Sequence, residues 1–168
     1  MRLLGTRKSA GSSPAWRTYA LTAAAVTTCA VAGAKAVDAD SAWYRGLDKP
    51  SWQPPAWAFG AVWTPLYATI AWSGGHALNQ ARGRARHRLA SSLVANLALN
   101  TAWNVAFFGR RSLKGGMLVI LLLNASNAEL VRRMARTDPT AARALIPYAG
   151  WCVFATALNT AIARRNPA

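Results

Sequence analysis

The chain has 168 residues, 53% of them hydrophobic and 15% charged, with 20 Lys and Arg against 5 Asp and Glu for a formal net charge of +15. So much apolar character beside so few charges argues against an ordinary soluble domain. The basic excess invites a nucleic-acid reading, but the cations fall in short runs between apolar windows, as they do in the loops of membrane proteins rather than along a phosphate-binding stripe.

Residues 1 to 17, rich in Ser, Gly and basic side chains, read as a disordered tail. The first apolar window, about 19–37, contains LTAAAVTTCAVAGA and the four-residue series Ala25, Cys29, Gly33, which predicts a tightly packed helix. A basic start and the small residues Ala30-Val31-Ala32 also imitate a cleaved signal peptide. The length of the basic region and the count of later windows favour a retained span.

Residues 38–55 form a loop that ends in SWQPPAWAFGAVWTPLY, Ser51 to Tyr67. Its indole and phenol rings have an apolar body and one polar tip, which suits membrane boundaries and pockets for flat amphiphiles. In the second window, about 57–78, Phe59, Trp63 and Tyr67 make an aromatic stripe, and Pro65 predicts a kink.

The third window, about 89–109, is the most legible. Asn96, Asn100 and Asn104 recur every four residues and share one face with Trp103 and Phe107 beside them. Ala98, Ala102 and Ala106 recur on the opposite side, a small-residue seam for a close helix contact within the bundle or across a homodimer. The fourth window, about 115–131, adds Asn124 and Asn127, with Glu129 expected at the interface. The fifth helix, about 139–162, opens on an Asp138 N-cap with Pro139 at its first position. It places Tyr148, Trp151, Ala155 and Asn159 on one face.

Four of the five windows approach or exceed the roughly 20 residues that cross a bilayer core, and the fourth in order is near the lower limit of about 17. The predicted fold is therefore an all-α integral membrane protein, a five-transmembrane-helix bundle. Alternation of the helices puts twelve basic residues on the side of the N-terminus and eight on the other, which favours an N-in, C-out orientation in the cell membrane. RGRARHR at 82–88, GRRSLK at 109–114 and RRMAR at 132–136 read as its connections. Cys29 and Cys152 lie in apolar windows and read as small hydrophobes rather than a disulfide.

WYRGLDKPSWQPPAWAFGAVWTPLY, LNTAWNVAFFGRR and LIPYAGWCVFATALN together resemble the translocator protein family, also called tryptophan-rich sensory proteins, over about Ala42 to Asn166. The resemblance implies a five-helix membrane bundle, often a homodimer, with a pocket beneath the first loop for porphyrins such as protoporphyrin IX or haem. Carried over by position, its pocket residues are Tyr44, Trp52 and Pro54 of the loop, Trp63 and Tyr67 of the second helix, Asn100, Trp103 and Asn104 of the third, and Trp151 and Ala155 of the fifth. The faces read from periodicity contain the members on those three helices.

Two departures stand out. Family members often carry Gln at the position of Asn96 and a Trp near Asn124. The animal relatives' sterol motif needs a basic residue soon after the Tyr, whereas AGWCVFATALNT follows Tyr148.

Four functional classes remain: a porphyrin sensor or regulator, a transporter, an enzyme of light-dependent porphyrin breakdown, and a structural partner protein. No paired carboxylates, Ser-His-Asp set or metal-ligand cluster is evident in the sequence, and axial haem ligation by His76 or His87 is not favoured. The expected partners are membrane lipid, a porphyrin-type molecule and a second copy of the chain, with no nucleic acid and no required cofactor.

Overall fold

The computed structural model describes residues 14–167. The expected disordered tail falls mainly on residues outside that range, although Ala15, Trp16 and Arg17 are helical.

Five long helices and one short one follow in chain order: α1 Ala15–Ala36, α2 Ala42–Gly46, α3 Ala56–Gln80, α4 Gly83–Asn104, α5 Leu113–Ala135 and α6 Pro139–Arg165, with a π-helical turn, Val105–Gly109, extending α4. The chain is all-helical across the described residues. At about 1.5 Å per residue, the 22 residues of α1 span roughly 33 Å. Among the described residues, α6 is the helix that is long and apolar enough to cross a membrane. The other long helices dilute their apolar residues with Arg, Asn, Trp and Pro.

The long helices close into a ring. α1 packs on α3, α3 on α6, α6 on α5, α5 on α4, and α4 back on α1. Small residues set the closest approach: a Cβ at Gly75 of α3 would stand 2.5 Å from the Tyr19 ring of α1, and one at Gly74 would stand 2.8 Å from Leu93 of α4. One end of the ring carries the α3–α4 and α5–α6 connections and is filled by side chains including Ile70, Leu89, Leu130, Met134 and Leu145. We call this the basic end and the other the lid end.

Two of the three basic segments expected as loops are largely helical. Residues 83–88 form the first turns of α4 and residues 132–135 the last turn of α5, so the true connections are shorter. Arg is a good helix former, and a run of cations marks where apolar burial stops, not where the helix does. The loop before α3 also contains α2, which the sequence pattern did not signal. Ser41 caps it by accepting from the Tyr44 N–H at 3.3 Å. α3 runs continuously through Pro65, and α6 opens as expected, with the Asp138 carboxylate accepting from the N–H groups of Thr140 and Ala141, both at 3.1 Å.

Candidate functional site

A buried polar chain crosses the middle of the ring. The Tyr67 hydroxyl donates to Asn100 Oδ1 at 3.1 Å, and Asn100 Nδ2 donates to the Tyr148 oxygen at 3.3 Å. Tyr148 in turn donates to Asn96 Oδ1 at 3.0 Å, and Asn96 Nδ2 donates to Asn127 Oδ1 at 2.7 Å. Each link satisfies a group that would otherwise be an unpaired dipole in an apolar interior. Four elements are thereby held in register, and their side chains form a floor.

Above the floor, towards the lid end, lies a cavity of about 520 Å³. Its size is within the usual range for small-molecule sites. Its wall combines Phe59, Trp63 and Tyr67 from α3, Asn100, Trp103 and Asn104 from α4, Phe107 and Phe108 from the π turn, and Trp151, Cys152 and Ala155 from α6. The rings support one another. Trp63 stacks on Tyr67 with centroids 5.1 Å apart, Trp103 stacks on Phe107 at 5.2 Å, and Trp151 lies 5.0 Å from Phe154. Locked rings of this kind present flat apolar faces at little entropic cost.

The π turn explains why Phe107 and Phe108 both reach this wall. An extra residue per turn shifts the phase of the helix locally. Phe107 is brought onto Trp103, and Phe108 stands edge-on to the same indole at 6.2 Å.

The loop closes the top. Tyr44 and Gln53 line the cavity and meet through a 3.4 Å contact from Gln53 Nε2 to the Tyr44 hydroxyl. Burial pushes the Tyr44 phenol upward, against the opposing pull of Gln53, and keeps it protonated. Lys49 Nζ sits 4.7 Å over the Tyr44 ring and donates to the Leu47 carbonyl at 3.1 Å. At its base the loop is clasped to the end of α6. Asn166 Oδ1 accepts from the Asp48 N–H at 3.0 Å, and Asn166 Nδ2 donates to the Asp48 carbonyl at 2.9 Å.

Of the ten residues expected at the pocket, Tyr44, Trp63, Tyr67, Asn100, Trp103, Asn104, Trp151 and Ala155 line this cavity. Trp52 and Pro54 do not. Trp52 is 48% exposed, its ring edge-on to Phe154 at 5.9 Å on the outside of the lid. Pro54 is half-buried and shapes the descent into α3. Both residues are carried over by position from the family resemblance, and a matched position says nothing of which way a loop side chain turns in this chain. Gln53, Phe108 and Cys152 were missed. Cys152 lies four residues after Tyr148, so the same helical spacing carried its signal.

On the opposite side of α4, Ala98 is exposed and Ala102 half-buried. Ala106 leaves this seam. Its methyl carbon lies 3.7 Å from the position a Cβ on Gly115 would take, so it faces the start of α5. A seam extrapolated at 100° per residue fails once the π turn intervenes.

A ring of five long helices around an aromatic-walled cavity, roofed by a short loop helix, defines a class of helical bundle with a compartment of small-molecule size between its helices. Residues 19–165 match the model of the TspO/MBR family, a membrane family. The chain belongs to that family. Curated relatives include the translocator protein of Homo sapiens, 34% identical over 74% of this chain and 75% of its own length. Protein CrtK of Rhodobacter capsulatus is 36% identical over 83% and 88%, and the tryptophan-rich sensory protein of Cereibacter sphaeroides is 29% identical over 74% and 77%.

Proposed function

We propose that this protein is a membrane-embedded tetrapyrrole-binding protein, crossing the cell membrane five times, that senses or regulates porphyrin metabolism and stress. The observation carrying the reading is the cavity itself, where indole and phenol rings from separate helices face one compartment of about 520 Å³. A planar macrocycle such as protoporphyrin IX or haem would lie against Trp63 and Trp151. Its propionates would point to the lid, where Arg45 and Lys49 are available. Each well-placed ring contributes about 0.5–1.5 kcal/mol beyond apolar burial, enough with that burial for micromolar affinity.

The name of the Cereibacter sphaeroides relative, a tryptophan-rich sensory protein, agrees with the sensing part of this reading. A transporter would need two alternately exposed states, and the five unequal helices show no inverted repeat to supply them. A second activity is favoured by the three indoles on the wall. Trp63, Trp103 and Trp151 would be the nearest oxidisable groups to an illuminated porphyrin, with dioxygen as the oxidant. The exposed Ala98 and its neighbour Ala102 are the proposed homodimer contact, which a cysteine at position 98 would report by cross-linking.

Titration of protoporphyrin IX into the purified protein, followed by tryptophan quenching, tests the binding. Saturable micromolar quenching is expected, weakened about tenfold in Trp63→Ala and in Trp151→Ala. Unchanged affinity in both would overturn the placement. Illumination of the complex under oxygen separates the sensor from the photochemical reading by whether the porphyrin spectrum decays.

A further inference from the structure

None of the five acids of the chain forms an ion pair with Arg82 or Arg86 of the α3–α4 corner, although Asp138 lies at the same end of the bundle. Asp38 and Asp40 follow α1 at the lid end. Asp48 is 3.7 Å from Arg165, Glu129 is held by Arg132 and Arg133, and Asp138 pairs with His76.

At the basic end, the start of α1 and the α3–α4 corner border a second, open cavity of about 470 Å³, whose polar wall is Thr18, Asn79, Arg82 and Arg86. Arg86 lies across it, donating to the Leu78 carbonyl and, at 3.4 Å, to Thr18 Oγ1. Arg82 donates to the Ala81 carbonyl at 3.2 Å. These contacts orient the guanidinium groups without neutralising them, and each retains unused N–H donors. Among the described residues no carboxylate reaches either arginine, and residues 1–13 contain no Asp or Glu. The first turn of α4 adds to the same potential, having neither an acidic residue nor a side-chain cap.

A concave site with two oriented, uncompensated guanidinium groups takes an anion with several oxygens. Its surroundings specify the rest of the ligand. Leu21, one turn further along α1 from Thr18, is 71% exposed, and Trp16 is 65% exposed. A phosphate attached to acyl chains satisfies both parts at once. We propose that this cavity binds the phosphate of an anionic phospholipid, with Arg82 and Arg86 on the phosphate oxygens and the chains along the outer face of α1 past Leu21. The site is separate from the aromatic cavity and does not depend on what that cavity binds.

The test is native mass spectrometry of the full chain released from detergent, supplied in separate arms with phosphatidylglycerol, phosphatidylcholine or inorganic phosphate. Phosphatidylglycerol is expected to be retained about tenfold over phosphatidylcholine, and Arg82→Gln/Arg86→Gln is expected to remove that preference. Arg84→Gln/Arg88→Gln deletes the same charge outside the cavity and is expected to leave most of it. Equal loss in both double variants, or equal retention of both lipids, overturns the site in favour of general surface attraction. Retention of inorganic phosphate without phosphatidylglycerol overturns the lipid. If the Arg86 change prevents folding, judged by circular dichroism, Arg82→Gln alone decides, with a several-fold loss expected and no loss contradicting the proposal.

Discussion

Asp138 shows how much a single side chain can hold. It caps α6 through two backbone N–H groups and pairs with His76 at the end of α3. Burial pushes its carboxyl upward, but the Ala141 N–H, His76 and the Thr140 N–H outweigh that and hold it below the usual carboxylate range. A carboxyl lowered on folding contributes stability that is complete above its unfolded value, near 4, and is lost as pH falls through the folded value. Melting temperature in detergent should therefore be level near neutrality on this account and drop below about pH 4. Asp138→Ala should cost about 1–2 kcal/mol at pH 7 and flatten that acid limb. Tyr148→Phe is a second case. Removing its hydroxyl strands Asn96 Oδ1 and Asn100 Nδ2 in the interior, and thermal unfolding should report a loss of about 1–3 kcal/mol.

At the scale of the helix, the sequence was most informative where chemistry alternates with a helical period. Asn96, Asn100 and Asn104 could be placed on one inward face because amides repeating every four residues are too costly to leave against lipid and need protein partners. Those partners could not be read, since pairing Asn96 with Tyr148 and Asn127 depends on the order of helices in the ring. Helix ends were less legible, because Arg84, Arg86 and Arg88 continue a helix that apolarity alone would have started at Leu89. α2 was invisible for a different reason, five residues being too few to show a period. The ring also depends on glycines at α1–α3. A methyl group at Gly75 would stand 2.5 Å from the Tyr19 ring and 3.1 Å from Thr22 Oγ1, a hydroxyl already held by the Thr18, Tyr19 and Ala71 carbonyls. Gly75→Ala should destabilise the bundle by about 1–3 kcal/mol in a detergent melt, whereas Gly150→Ala, with nothing nearby, should not.

In the whole molecule, the two ends of the bundle do different things. The basic end has a packed interior pinned by His76–Asp138, with the Arg82 and Arg86 cavity on its flank beside α1, while the lid end keeps a covered space around rings fixed by the polar floor. Composition could announce aromatic residues at one end of the chain's helices, but whether they met in a solid core or around a space depended on side-chain volumes across five helices. The structure leaves a space. Ala155 is a small residue on its wall, so Ala155→Trp tests most directly whether that space is the tetrapyrrole site. With helix content and melting temperature kept as controls, this filled variant is expected to bind protoporphyrin at least tenfold more weakly by saturable quenching. Wild-type affinity in a folded Ala155→Trp protein would contradict it.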